Sequence, residues 1–241
     1  MRPRIAIPVP HSRYPDYVQR SLPQYEHAIE MAGGEAVRIP LDKPSPQLME
    51  LIERCDGVLL PGSSADVDPA KYEAPRHLKT ADADSKRDAI DELLLNDAYE
   101  KRKPILGICY GLQILNVNRK GTLLQHIESE VNHEAGKNVP VAHNVVIEPK
   151  SKLAEIVGIS SEDKSLPVNS SHHQSAAKIG NGLQVVATSP HDNIIEAVEG
   201  TSPNHFVLAV QWHPERSVDQ DEPSRAIFRA LVEAAKAKHK S

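Results

Sequence analysis

One of the two cysteines in the sequence stands where a catalytic nucleophile is expected. Cys109 lies in GICYGLQILN (107–116), where an apolar run gives way to helical spacing and Gly107 and Gly111 flank the turn. Glycines there permit the tight nucleophile elbow Gly-x-Ser-x-Gly, with cysteine in place of serine. The N-terminus of a helix beginning at Tyr110 favours the thiolate. The alternative is a small apolar cysteine packed at the turn, and the local pattern does not decide between the two.

A thiolate that attacks an acyl carbon needs a base, and the base needs a group that orients it. The segment FVLAVQWHPE (206–215) offers both, because an apolar strand leads directly to His213 and then to Glu215. His213 falls at the carboxyl end of that predicted strand, where open α/β sheets place their sites. The chain has 12 histidines, so a His-x-Glu pair on its own is a weak signal.

A turn after another buried strand offers backbone N–H groups. The segment LLPGSSADVDP (59–69) ends its strand in Gly62-Ser63-Ser64. N–H groups in such a turn can stabilise the oxyanion of a tetrahedral intermediate. An ordinary strand-ending turn is the alternative. Because all three segments follow predicted strands, one edge of one sheet can bring them together.

The order of elements in the first half predicts the fold class. Its strands are apolar runs without polar alternation and are separated by helices, which indicates a mostly parallel sheet covered on both faces. We place the strands at 4–9, 35–40, 56–62 and 104–109, and the helices at 22–34, 45–55, 85–103 and 110–118. Helix 85–103 is expected to be amphipathic, with its charges away from a face formed by Ile90, Leu93, Leu94, Asp97 and Ala98.

The second half differs because shorter connections join its strands. Strands are predicted at 141–149, 184–190, 194–200 and 206–215, helices at 151–158 and 221–238, and a polar surface loop at 128–140. These strands indicate an antiparallel addition to the sheet. We therefore expect residues 1–241 to form a single α/β domain, a flavodoxin-like three-layer sandwich with a mostly parallel central sheet and an antiparallel extension.

Taken together, these segments resemble the class I glutamine amidotransferase-like family, and within it the γ-glutamyl-γ-aminobutyrate hydrolase branch. The resemblance rests on the Cys-x-Gly-x-Gln elbow at 109–113, on His-Pro-Glu at 213–215 and on PGSSADVDPAKY at 61–72. Arg-Asp at 87–88 and VNSSHHQ at 168–174 are similar to further segments of that branch. These similarities extend over nearly the whole chain, which favours the interpretation of the elbow cysteine as a nucleophile.

The resemblance implies a role for each matched position. Cys109 is the nucleophile, His213 the general base and then acid, and Glu215 the carboxylate that orients the imidazole. The oxyanion donors it implies are the backbone N–H groups of Tyr110 and of Gly62 or Ser63. The side chains it implies for contact with the γ-glutamyl group are Gln113, Ser171 and His172. The alternatives are a solvent-facing helix residue at position 113 and a surface turn at 172–173.

The implied activity is hydrolysis of a γ-glutamyl amide through a thioester, with a small γ-glutamyl compound as substrate, no cofactor and a homodimer as the usual assembly. Two other functions stay open at this stage. One is a glutaminase subunit that supplies ammonia to a separate synthase. The other is a binding or regulatory homologue that has lost catalysis.

The sequence departs from the branch at three places. Tyr110 stands where arginine is usual, so its side chain is expected near the mouth of the site, against a different leaving group. Asn118-Arg119-Lys120 replaces small residues and is expected to be exposed or to alter a subunit contact. Ser63 and Ser64 stand where a second glycine is common, and a positive φ at either would cost energy.

Composition excludes several function classes. The net charge of −5 argues against a nucleic-acid partner, and the sequence contains no run of about 18 apolar residues that would cross a membrane. No phosphate-binding Gly-rich motif and no zinc-ligand spacing is present, so we expect no cofactor and no metal. Asp66 and Asp68 are expected to shape their loop or to contact a substrate amine, and Cys55 to be packed and inert. The N-terminus lacks the features of a secretory signal, which predicts a cytoplasmic protein.

Overall fold

The computed structural model describes residues 2–41, 45–160 and 164–238. In chain order, its strands are β1 (Arg4–Pro8), β2 (Glu35–Ile39), β3 (Gly57–Leu60), β4 (Ile105–Ile108), β5 (Leu123–Leu124), β6 (His143–Ile147), β7 (Ser165–Val168), β8 (Ser175–Ala176), β9 (Leu183–Thr188), β10 (Ile195–Gly200) and β11 (Val207–Val210). The α-helices are α1 (Pro15–Met31), α2 (Ser45–Glu53), α3 (Ser85–Lys101), α4 (Tyr110–Asn118), α5 (Lys152–Val157) and α6 (Glu222–Lys238). Short 3₁₀ helices lie at Pro69–Tyr72 and Pro214–Arg216.

A nine-stranded sheet forms the centre of the fold, in the order β2-β1-β3-β4-β11-β10-β9-β6-β7. Strands β2, β1, β3, β4 and β11 are parallel, and the remaining four pair antiparallel beyond β11. Strands β3, β4 and β11 are buried at every residue, because helices cover both faces of the sheet. Helices α1 and α6 pack on one face, and α2, α3 and α4 on the other. The predicted three-layer α/β class with an antiparallel extension is confirmed.

The central strand β4 lies between β3 and β11, which sets the position of the three chemical segments. Leu60 pairs with Gly107, and Val210 pairs with Ile108, so the carboxyl ends of the three strands are neighbours. The residues that follow them must therefore share one edge of the sheet, as the sequence predicts.

Some elements differ from the sequence expectation. Helix α1 begins at Pro15 rather than at residue 22, because proline suits the first helical turn, and the helix continues through Pro23. Strands β5, β7 and β8 are not predicted by the sequence, because β5 and β8 have only two residues each and β7 contains a proline. Strand β7 contains Pro167, which is tolerated because β7 is an edge strand. Strand β11 ends at Val210, well before the predicted end at residue 215.

Helix α3 contradicts the expectation that its charges avoid the packed side. Arg87, Asp88 and Asp91 are buried, as is Asp97, which the sequence placed on the packed face. The Arg87 guanidinium pairs with Asp91 at 2.8 Å and donates to the carbonyls of Pro10 and Pro61 at 3.0 and 2.9 Å. Those carbonyls follow β1 and β3, so the buried charges of α3 hold the strand ends that border the site.

The cationic segment after α4 is only partly exposed. Arg119 donates to the carbonyl of Asn181 at 3.0 Å, and its guanidinium lies 4.2 Å from the ring centroid of Tyr99. Lys120 is exposed. None of the helices in the described ranges combines the length and apolar character needed to span a bilayer.

Candidate active site

The backbone at Cys109 adopts a conformation that non-glycine residues rarely adopt. Its φ of 53° and ψ of −107° turn the chain from β4 directly into α4. The turn is also tight, because a Cβ on Gly111 would lie 2.1 Å from the carbonyl oxygen of Leu60. A Cβ on Gly107 would lie 2.8 Å from the carbonyl of Gly111. The predicted elbow is therefore present, and both glycines are required by close backbone approach.

His213 lies immediately after β11, the neighbour of β4, and its backbone is fixed by a single amide side chain. Asn169 accepts from the His213 N–H at 3.0 Å and donates to the His213 carbonyl at 2.8 Å. The imidazole Nδ1 lies 2.7 Å from Glu215 Oε1, and the Cys109 thiol is near enough to the ring to raise the pKa of the imidazole. Because the carboxylate accepts from Nδ1, Nε2 is the nitrogen free to exchange a proton with sulfur.

The electrostatics of this trio favour a charged imidazole. Burial lowers the pKa of His213, but the negative charges at Glu215 and Cys109 outweigh burial and raise this pKa to about 9. Burial raises the pKa of Glu215, yet the facing imidazolium and its hydrogen bond bring this pKa below its usual value. Cys109, His213 and Glu215 thus form a buried group, which we call the relay, in which the imidazole lies between a sulfur and a carboxylate.

The loop after β3 approaches the other two segments closely. A Cβ on Gly62 would lie 3.1 Å from His213 Cε1 and 3.7 Å from Cys109 Cβ. The Gly62 N–H donates to the Tyr25 hydroxyl at 3.1 Å. Neither Ser63 nor Ser64 has a positive φ, so the strain considered for these serines does not arise.

Comparison with known proteins identifies the family of this chain. The profile of the family described as peptidase C26 matches residues 6–215. The chain belongs to this family. A γ-glutamyl-γ-aminobutyrate hydrolase of Escherichia coli (strain K12) is 33% identical over 244 residues, covering 96% of this chain and 93% of that protein. A candidate glutamine amidotransferase-like protein of Rickettsia prowazekii (strain Madrid E) is 33% identical, covering 94% and 92% respectively.

The solved structures give the same fold. A protein of Thermoplasma acidophilum, described as a candidate component of GMP synthase, superposes with a TM-score of 0.68 at 15% identity, covering all of this chain and 97% of that one. The resemblance to the glutamine amidotransferase-like family is thus confirmed, and this C26 protein is a hydrolase of that type.

The Tyr110 side chain in this C26 protein does not lie at the mouth of the site. It is 1% exposed, its hydroxyl donates to Asp88, and its ring lies 5.0 Å from the Arg87 guanidinium carbon. The expectation that it contacts a leaving group is therefore wrong. A tyrosine at the first position of α4 packs against α3 because the buried Asp88 carboxylate accepts its hydroxyl. The Tyr110 backbone N–H stays in the first turn of α4, beside Cys109.

The three residues predicted to contact the γ-glutamyl group differ in their burial and in their hydrogen-bond partners. Gln113 is buried rather than facing solvent, and it donates to the Gln174 carbonyl at 3.2 Å. Ser171 is half-buried and accepts from Arg216, the residue after the relay carboxylate, at 2.8 Å. His172 is buried and faces Glu196 at 3.6 Å, so the surface-turn alternative is wrong for it.

The remaining predicted polar residues shape the structure. Asp66 accepts from the Ala81 N–H at 2.6 Å and from Gln174 at 3.0 Å, and Asp68 caps the 3₁₀ helix by accepting from the Ala70 N–H at 3.0 Å. Cys55 is 2% exposed, and burial raises the pKa of its thiol to about 11. Its packed, inert state is as expected.

Sequence reasoning missed the residues that hold the site in place. Asn169 fixes the backbone of His213, Tyr25 contacts the Gly62 N–H, and Arg87 joins the ends of β1 and β3. The available signal was the spacing of Arg87 and Asp91, because residues four apart on a helix can form an ion pair.

Proposed function

We propose that this protein hydrolyses a γ-glutamyl amide bond through a thioester on Cys109. The observation that carries the proposal is the buried relay in which Glu215 orients His213 and His213 contacts the thiol. Membership of the C26 family and similarity to γ-glutamyl-γ-aminobutyrate hydrolases support this assignment over a binding or regulatory role.

The chemistry proceeds in two halves. The Cys109 thiolate attacks the γ-carbonyl carbon, and the tetrahedral intermediate collapses as the C–N bond breaks and the His213 imidazolium gives its Nε2 proton to the leaving amine. The imidazole then takes a proton from water, the resulting hydroxide attacks the thioester, and glutamate leaves with the thiolate regenerated. Glu215 positions the ring in both halves.

The oxyanion of each tetrahedral intermediate needs backbone donors. The Tyr110 N–H at the start of α4 is one candidate, as the resemblance implies. Because the Gly62 N–H already donates to the Tyr25 hydroxyl, we assign the second donor to the Ser63 N–H.

A cleft of 580 Å³ beside Glu215 supports an acidic leaving group. Its lining includes the cationic side chains of Arg20, Lys137 and Arg216. Arg20 and Lys137 are exposed, so their charges face an incoming ligand rather than a buried partner. A carboxylate at the far end of the leaving amine, as in γ-aminobutyrate, would be attracted to these cations, whereas ammonia would not.

A matched pair of amides tests this assignment. We expect kcat/KM for γ-glutamyl-γ-aminobutyrate to exceed that for γ-glutamyl-butylamine, in which a methyl group replaces the carboxylate, by about 10-fold. The double variant Arg20→Met/Lys137→Met should reduce this preference about 2–5-fold, the value of two screened charges. Lys150→Met, an exposed lysine outside this cleft, is the control and should change nothing.

The other outcomes identify the rival functions. Equal turnover of both amides would reject the acidic leaving group but not the hydrolase. Turnover of glutamine alone, stimulated by a partner, would favour the glutaminase subunit. Failure to turn over any γ-glutamyl amide with Cys109 reduced and intact would favour the catalytically impaired homologue.

The pH profile provides a separate prediction. Because the folded pKa of His213 is raised to about 9, the imidazolium persists through neutral pH, and kcat/KM should fall as pH rises through about 9. Glu215→Gln removes a negative charge that raises this pKa, so the falling limb should move to lower pH. Arg216 lowers the same pKa, so Arg216→Met should move the limb the opposite way. An alkaline limb that stays in place in both variants would contradict the assignment of His213 as the acid.

A further inference from the structure

Three buried side chains from distant parts of the chain come together next to the segment 169–174, which also contacts the backbone of His213. They are His133, from the loop after β5, His172, and Glu196, from β10, and one ligand-type atom of each lies within 4.8 Å of the other two. Glu196 Oε1 is 3.2 Å from His133 Nδ1 and 3.6 Å from His172 Nε2. The edge of a tetrahedral zinc site with bonds of about 2.0 Å is about 3.3 Å, so these separations fit a shared ion.

Each member of the cluster has one buried polar atom without a hydrogen bond in the part of the chain that the structure describes. His133 Nδ1, His172 Nε2 and Glu196 Oε2 are buried and make no hydrogen bond to any residue in the described ranges, one atom from each member of the cluster. The two nitrogens approach Glu196 closely, but they are not aligned to donate to it. Buried polar atoms without a partner are costly, so their convergence points to a missing ligand.

The outer nitrogen of each ring is held by an oxygen that can only accept a hydrogen bond. His172 Nδ1 donates to the Gln174 carbonyl oxygen at 3.0 Å. His133 Nε2 donates in the same way to Asp192 Oδ2 at 2.8 Å. In metal-bound histidines, the ring nitrogen that does not bind the metal usually donates to a carbonyl or carboxylate oxygen, which orients the ring.

We propose that His133, His172 and Glu196 bind a divalent transition-metal ion of the zinc class, with water in the remaining position. His143 donates from Nε2 to Glu196 Oε1 at 3.0 Å and supports the carboxylate without joining the ligand set. A 310 Å³ cavity lined by both ligand histidines and by residues of the loop 127–134 gives the ion a route from solvent. The sequence indicated no metal, because the ligands follow no recognisable spacing.

The ion would act on the candidate active site through the backbone. His172 belongs to the same short segment as Asn169, which hydrogen-bonds both backbone groups of His213. Binding of the ion would thus fix the segment that holds the His213 backbone, while the ion itself lies apart from the proposed hydrolytic chemistry.

Metal binding by the full-length protein tests the proposal directly. After chelation and dialysis, titration with Zn²⁺ should show one equivalent bound, and Co²⁺ should give the intense visible absorption of a tetrahedral complex. Glu196→Gln, which keeps the shape of the side chain, and His172→Ala should each weaken Zn²⁺ binding about 100-fold or more. Asp192→Asn, which removes only the outer support, should weaken it about 10–100-fold.

His205→Gln is the matched control, because His205 is also buried but its ring bonds to the Lys103 carbonyl at 2.7 Å near the opposite edge of the sheet. It should bind Zn²⁺ as the parent protein does. Zn²⁺ should also raise the Tm of the parent protein but not that of folded Glu196→Gln. Equal Zn²⁺ affinity in the parent and in Glu196→Gln, or no tetrahedral Co²⁺ spectrum, would overturn the proposal. The cluster would then be a set of ion pairs between histidines and Glu196 without a metal ion.

Discussion

Replacing Cys109 with alanine should reduce kcat/KM for the γ-glutamyl substrate by about 10⁴-fold or more. The reason is that the thiolate forms the covalent bond that divides amide hydrolysis into two steps, and neither His213 nor Glu215 can replace it. Cys109→Ser keeps a nucleophilic atom in the same elbow and should still lose most activity, because a hydroxyl is far harder to ionise than a thiol. Steady-state release of the amine measures both variants.

Cys55→Ala is the matched control for this loss. Cys55 is the other free thiol of the chain, is buried just after the end of α2, and donates to the Leu51 carbonyl at 3.3 Å. Its replacement should lower stability modestly and leave kcat unchanged. Undiminished turnover in Cys109→Ala would contradict the assignment of the nucleophile.

Gly111→Ala should destabilise the fold by at least about 3 kcal/mol. The added Cβ would lie 2.1 Å from the Leu60 carbonyl oxygen and 2.9 Å from the Leu60 carbonyl carbon, both of which are backbone atoms of β3. No side-chain rotation can relieve that overlap, so α4 would have to move away from the sheet. Urea unfolding followed by circular dichroism measures the free energy of unfolding.

Gly158→Ala separates steric overlap from backbone strain. Gly158 has a φ of +73°, but a Cβ there would meet nothing within 4 Å. The expected cost is about 1–2 kcal/mol, the price of a left-handed conformation for a residue with a side chain. If Gly111→Ala were no more destabilised than Gly158→Ala, the tight packing of the elbow on β3 would be wrong.

The elbow and the relay could be predicted because their signals are local. Two glycines around Cys109 indicate a turn that excludes Cβ atoms, and an apolar strand that ends at His213 indicates an edge position. The three segments then meet because β3, β4 and β11 are adjacent parallel strands whose carboxyl ends lie side by side.

The residues that were misplaced depend on contacts between distant segments. The outward direction expected for Tyr110 failed because Asp88, on a different helix, accepts its hydroxyl inside the core. The amphipathic expectation for α3 failed for the same reason, since Arg87 is compensated by Asp91 and by two strand-end carbonyls. The cluster of His133, His172 and Glu196 has no sequence motif, because three separate parts of the chain contribute to it.

The central claim is that Cys109 carries the glutamyl group between the two halves of the reaction. Rapid acid quenching during turnover of a γ-glutamyl amide, followed by peptide mass analysis, tests this most directly. We predict one glutamyl group on the peptide that contains Cys109, removed by hydroxylamine as expected for a thioester. Product formation without an adduct at Cys109 at any time point, with Cys109→Ala still active, would contradict the account.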